Sequence, residues 1–188
     1  MMRDISLHIM DIMQNSIKAG ANYIELKIWV DINDDLLYVD IIDNGCGMDE
    51  EFIKRVISPF TTTRTTRSIG LGIPLYKQSA EIAGGSFGIN SKLGEGTRIS
   101  VSYSISNIDR LPLGDIGDTI IGNVLSYPDL RYKLFADCSG REFVFDSEEI
   151  KAQLGEVPIT EYSVISWIHE YIDEGIREVF QGILKEIV

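Results

Sequence analysis

The hydrophobic and polar positions of this chain change period several times, and each change marks an element. Ile5, Ile9, Ile12, Met13 and Ser16 recur at helical spacing, which predicts an amphipathic helix over 5–18. His8, Asp11, Asn15 and Lys18 lie on a second face, and Gly20 stands where a helix stop belongs. Ile24, Leu26, Ile28 and Val30 then alternate with Glu25, Lys27 and Trp29, the period of a half-buried strand. After the turn Asn33-Asp34-Asp35, the apolar run Leu36 to Ile42 is a second strand, paired with the first as a hairpin.

A glycine-rich turn occupies 43–47, and Asp49 can cap a short helix over 50–57. Residues 58–69 lack apolar periodicity, are rich in Thr, Arg and Ser, and read as a loop. A helix starts near Ile73-Pro74 and stops before Gly84-Gly85. Strands fit 86–91 and 97–104 around the turn Leu93-Gly94-Glu95-Gly96. Residues 106–114 read as a connection, which divides the chain into 1–106 and a small α+β unit over 107–188. That unit is expected to hold a helix over 115–126, strands over 130–137 and 141–146, and a short helix to 153 capped by Asp146 or Ser147. A long helix over 160–186 ends it, with Val164, Ile168, Tyr171, Ile172, Val179 and Ile183 on one stripe.

Composition narrows the partners. The 188 residues carry a formal net charge of -12, so the surface repels phosphate backbones and anionic membranes. Nucleic acid and membrane are therefore not expected as partners. Cys46 and Cys138 lack metal or redox spacing, which fits a reducing compartment. With no leader-like start and no apolar run of about 20 residues, a cytoplasmic location is expected.

Four features carry candidate chemistry. Asp11 and Asn15 lie four apart on one helix face, where a carboxylate can activate a water and an amide oxygen can ligate Mg²⁺. Lys18 shares that face and suits a phosphate. Asp43-x-Gly45-x-Gly47 follows a buried-type strand, so its carboxylate can accept from an exocyclic amine while glycine lets backbone approach a flat ring. Gly70-Leu71-Gly72 precedes a helix, where backbone N–H groups bind anions. The loop before it supplies Thr63, Arg64 and Ser68 as phosphate donors on a lid. Gly94-x-Gly96-Thr97 is a tight turn whose hydroxyl can meet the base side of such a pocket. Each alone has an ordinary structural reading: a solvated face, a turn, a helix start, a hairpin. Their order, and the secondary-structure placement of all four, argue against coincidence and point to one site.

In that order the motifs resemble the GHKL ATPase superfamily of DNA gyrase, heat-shock chaperone ATPases, histidine kinases and MutL-type repair proteins. DIMQNSIKAGA (11–21) resembles the asparagine box, DNGCGM (43–48) and SIGLGIP (68–74) the two glycine boxes, and GEGT (94–97) the last motif. Pro59-Phe60 resembles the stretch before the lid of histidine kinases, and NSIKAGANYIEL is similar to MutL. The resemblance covers just over half the chain. It implies a Bergerat fold, a two-layer α/β sandwich with ATP and Mg²⁺ as ligands. It implies that Asn15 ligates Mg²⁺, Asp43 binds the adenine amino group with Thr97 helping through water, and Gly45, Gly47 and Met48 shape the base pocket. Gly70, Leu71 and Gly72 would hold phosphates, and Lys18 matches a phosphate-contacting lysine of histidine kinases.

The gyrase, chaperone and MutL members carry Glu at the position of Asp11, the candidate general base, so this carboxylate is one methylene shorter. The helix of the asparagine box starts almost at Met1, so an upstream phosphoacceptor helix is not expected. His8 and His169 are expected to be a packed and a solvated histidine. Three functions follow: a kinase or regulator acting on a separate protein, a slow ATP-hydrolysing switch, or a module that only senses ATP. Many superfamily members dimerise, so a homodimer is one option. The chain is also similar to small stand-alone members in anaerobic bacteria that accompany iron-hydrogenase genes, which implies a redox enzyme as partner. The C-terminal unit carries no motif attached to chemistry: it reads first as a packing unit that stabilises the N-terminal core, and otherwise as a partner surface with Trp167, Tyr171 and Phe180.

Overall fold

The computed structural model describes residues 2–57 and 71–184. In chain order the elements are α1 (Ile5–Lys18), β1 (Tyr23–Asp31), β2 (Leu36–Asp43), α2 (Glu50–Ile57), α3 (Gly72–Ile82), β3 (Phe87–Lys92) and β4 (Gly96–Ser104). They are followed by α4 (Ile116–Ser126), β5 (Arg131–Cys138), β6 (Arg141–Asp146), α5 (Ser147–Leu154) and α6 (Tyr162–Phe180). The strands form one mixed sheet in the order β3-β4-β2-β1-β5-β6. Among the described residues, only the β1–β5 pairing is parallel.

The strand alternation has a direct structural cause. Ile99 of β4 faces Ile41 of β2, Ile41 faces Leu26 of β1, and Leu26 faces Leu134 of β5. This row lies on one face of the sheet and is buried. α1, α3 and α6 pack on the sheet, and α4 packs against α1 and α6. Ile9, Met13, Tyr76, Ile120 and Ile172 from these helices join the same core cluster. The result is the expected mixed α/β architecture, with helices layered on a sheet. On the strands' other side chains, Trp29 stacks on Tyr38 at 4.9 Å, and Arg98 pairs with the buried Asp40.

Helix starts follow local chemistry. Asp4 caps α1 by accepting from Leu7 N–H, Asp115 caps α4, and Asp146 caps α5. Asp49 accepts from Phe52 N–H at 2.7 Å at the start of α2.

The boundary expected at 106/107 falls between β4 and α4, and the sheet runs across it. β5 lies parallel to β1 along its length, and β6 extends the same sheet. The last helix is shorter than its pattern. It ends at Phe180, where Gln181 leaves the helical region and Gly182 turns with φ 76°. Phe180 is fully buried, which removes it from any exposed surface, whereas Trp167 and Tyr171 are 48% and 38% exposed. Among the described residues, no helix is long and apolar enough to cross a membrane.

Candidate functional site

The turn after β2 is held from three sides. Asn44 accepts from Asn22 N–H and Tyr23 N–H, both at 3.0 Å, and donates to the Asn22 side chain at 2.6 Å. Cys46 N–H donates to the Ala19 carbonyl at 2.9 Å, and Gly94 N–H donates to the Cys46 carbonyl at 2.8 Å. The turn is thereby clamped between the end of α1 and the β3–β4 hairpin. Gly47 has φ 66°, and a Cβ there would lie 2.0 Å from the Lys92 carbonyl oxygen. Gly96 has φ 101°, and its Cβ would lie 2.0 Å from the Asp43 carbonyl oxygen. Both positions combine a left-handed backbone with close approach, so a side chain is excluded twice over.

Beside this clamp lies a cavity of about 480 Å³. Its walls are largely apolar, from Ile12, Ile41, Ile99, Phe52, Val56, Ile73 and Leu93. Asn15, Lys18, Asp43, Gly47, Met48 and Thr97 also line it. These six were read from the sequence as site residues, and the fold brings them to one space from α1, β2, the following turn and β4.

Asp43 is the buried charge of the cavity, 9% exposed. Ser16 Oγ donates to its Oδ2 at 2.6 Å, and Gly45 N–H donates to its Oδ1 at 2.9 Å. A carboxylate has about four acceptor positions, so both oxygens keep capacity for a ligand. Thr97 pairs with Asp43 across the β2–β4 ladder. Its hydroxyl lies 2.8 Å from Ser91 Oγ, which also accepts from Met48 N–H at 2.8 Å. The sheet thus sets a carboxylate and a hydroxyl side by side against apolar walls.

Asp11, Gly45, Leu71 and Gly72 do not line the cavity. Gly45 acts through its N–H on Asp43, and a Cβ there would press on Ala19. The Asp11 carboxylate lies against the first residue of α3, since a Cβ on Gly72 would sit 1.6 Å from its Oδ2. The same oxygen accepts from Asn15 Nδ2 at 3.4 Å. Leu71 is 65% exposed just before α3. Thr63, Arg64, Ser68 and Gly70 lie outside the described residues.

His8 is packed, as its pattern predicts: it is 3% exposed and stacks on Tyr76 at 5.0 Å. Burial pushes its imidazole down to about 4, against the opposing pull of Asp11 and Asp4. His169 is half-buried against carboxylates of α4 and of its own helix, in place of the expected solvated face.

Ser16, Asn44 and Ser91 are the site residues that sequence reading missed. Ser16 sits in the apolar stripe of α1, and a hydroxyl on a buried face is itself a signal that a polar partner lies opposite. Asn44 carries only a turn signal in the sequence. Ser91 is legible only from the hairpin register that sets it against Thr97.

Residues 3–107, more than half of the chain, match the family described as histidine kinase-, DNA gyrase B-, and HSP90-like ATPase. Among curated proteins, Sporulation kinase D of Bacillus subtilis is 26% identical over 98 residues, covering 52% of this chain and 19% of that protein. Histidine protein kinase DivJ of Caulobacter vibrioides is 27% identical over 101 residues, covering 52% of this chain and 17% of that protein. The chain thus spans under a fifth of the length of these relatives. Among solved structures, the N-terminal domain of a DNA repair protein superposes with a TM-score of 0.53 at 16% identity, over 76% of this chain and 52% of that one. At this identity the likeness is one of fold.

Proposed function

Because this chain belongs to the family of histidine kinase-, DNA gyrase B- and HSP90-like ATPases, we propose that its cavity binds ATP with Mg²⁺ and that the protein uses ATP to regulate another protein. The observation that carries this reading is the buried Asp43, oriented by Ser16 and Gly45 between apolar walls. A carboxylate so held accepts from the amino group of adenine, and Thr97 beside it serves the same edge of the base. The left-handed Gly47 allows backbone to lie close to a flat ring.

The polar end fits the rest of the ligand. Asn15 directs Nδ2 to Asp11, which leaves Oδ1 as the acceptor for a hard cation. Lys18 stands exposed at the rim, placed for a phosphate. The start of α3 offers backbone N–H groups to anions. Mg²⁺-ATP would supply a phosphoryl group whose developing charge these groups share. We read the outcome as transfer to a side chain of a separate protein, in keeping with the kinase names of the relatives.

A second reading, slow hydrolysis in place, is favoured by one contact. Asp11 lies one helical turn from Asn15 and within 3.4 Å of its amide, close enough to orient a water near the cation. Radiolabelled ATP distinguishes the two. Label appearing on an added protein supports transfer. Phosphate release by the chain alone, lost in Asp11→Asn while nucleotide binding persists, supports hydrolysis. Absence of nucleotide binding contradicts both.

A further inference from the structure

Far from the cavity in sequence, a second cluster of polar side chains joins α4 to α6. Asp115 caps α4, and its Oδ1 accepts from Asp118 N–H at 2.6 Å. That bond turns Oδ2 toward α6, where it lies 3.6 Å from His169 Nε2. Asp118 Oδ1 lies 3.2 Å from the same nitrogen. On the other side of the ring, His169 Nδ1 lies 3.2 Å from Asp173 Oδ2, one turn along α6.

Nε2 carries at most one proton, yet two carboxylates converge on it. One proton satisfies at most one of them, so the other carboxylate has no donor at this ring nitrogen. Bonds of about 2.0–2.1 Å in tetrahedral geometry set neighbouring ligand atoms roughly 3.3 Å apart. The two histidine–carboxylate separations, 3.2 and 3.6 Å, bracket that edge. One ligand atom from each of Asp115, Asp118 and His169 lies within 4.8 Å of the others.

The surroundings are shaped for this arrangement. A carboxylate on the far nitrogen of an imidazole is the usual device that fixes the tautomer and orientation of a metal ligand, and Asp173 stands there. Gly117 lets α4 approach, since a Cβ would lie 2.8 Å from Asp173 Oδ1 and 3.3 Å from both Asp115 Oδ1 and His169 Cδ2. Asp118 is 76% exposed at its side chain, so the cluster opens to solvent and to a water in the fourth position.

We propose that Asp115, Asp118 and His169 form a binding site for a divalent transition ion of the Zn²⁺ class, with Asp173 as the positioning residue. The imidazole selects Zn²⁺ or Co²⁺ over Mg²⁺ and Ca²⁺. The bound ion ties the start of α4 to the middle of α6, and so acts on the fold independently of the nucleotide site.

The test uses the full chain without an affinity tag, stripped with chelator. Co²⁺ is titrated while its visible d–d absorption is followed, and Zn²⁺ is titrated by calorimetry. One ion per chain is expected, with binding lost in His169→Ala and in the exposed Asp118→Asn, and weakened about 10–100-fold in Asp173→Asn. Circular dichroism of each variant checks that the fold is kept. Zn²⁺ should raise the melting temperature of the parent and not of His169→Ala. Absence of saturable binding, or binding that survives both His169→Ala and Asp118→Asn, overturns the site. An unchanged affinity in Asp173→Asn overturns the positioning role.

Discussion

The Ser16 hydroxyl donates to Asp43 Oδ2 across 2.6 Å, joining a buried face of α1 to the end of β2. This contact fixes the orientation of the carboxylate before any ligand arrives. Ser16→Ala leaves a small gap and frees the carboxylate to rotate. Nucleotide affinity is expected to fall roughly 10–150-fold, the equivalent of one lost hydrogen bond to a charged group. Calorimetric titration of both proteins with Mg²⁺-ATP reads the difference, and an unchanged affinity would contradict the positioning role.

Gly47 is the tightest point of the clamp. Gly47→Ala must place a Cβ against the Lys92 carbonyl while holding φ at 66°. The cost is at least about 2 kcal/mol, since backbone strain of this kind alone costs about 1–3 kcal/mol. For a chain of this size that lowers the melting temperature by roughly 4–8 °C. Gly20→Ala is the control: it shares a left-handed φ of 78° but has nothing within 4 Å of the new Cβ. Equal losses at the two sites would mean that φ alone matters and that the clamp does not.

Much of this was legible in sequence, and the reasons differ by element. The strands could be read because burial on one face of a sheet imposes strict alternation, as in Ile24, Leu26, Ile28 and Val30. The starts of α2 and α5 could be read because Asp49 and Asp146 meet a local need for acceptors, whereas the caps Asp4 and Asp115 show only in the structure. The parallel pairing of β5 with β1 could not, because Tyr23 and Arg131 are joined by register and by nothing in their local pattern. The end of α6 was missed because Ile183 continues the apolar stripe after Gly182 has already turned the chain. Of the candidate site, Asp43, Asn15 and Thr97 were visible as motif residues. Ser16 was hidden among the apolar residues that share its face, and His169 among acidic neighbours.

His8 makes stability depend on pH. Its folded value of about 4 lies below its ordinary 6.5, because burial disfavours the charged ring. The unfolded chain therefore takes up a proton first as pH falls. The contribution is fully present above 6.5 and is lost between 6.5 and about 4, amounting to roughly 2–3 kcal/mol. Urea unfolding at neutral pH and near pH 4.5 should show this loss in the parent, beyond that from carboxylates. In His8→Phe, which keeps an aromatic ring on Tyr76, the loss should shrink by that amount. Parallel pH profiles for the two proteins would contradict it.

Asp11 separates binding from use. Its carboxylate rests against Gly72 and Asn15 and does not line the cavity. Asp11→Asn is expected to retain nucleotide binding. If water is activated there, turnover falls about 10²-fold or more. Steady-state phosphate release alongside calorimetry gives both quantities on one preparation. A loss of binding equal to the loss of turnover would assign Asp11 to ligand affinity instead.

The most direct measurement compares Mg²⁺-ATP with Mg²⁺-GTP on the parent and on Asp43→Asn, by calorimetry under one set of conditions. In the proposed site Asp43 would offer an acceptor where adenine presents an amino group and guanine presents a carbonyl. The account predicts one ATP site per chain, GTP weaker by about 10²-fold or more, and loss of ATP binding in the variant. Equal affinity for the two nucleotides, or ATP binding that survives Asp43→Asn unchanged, would contradict it.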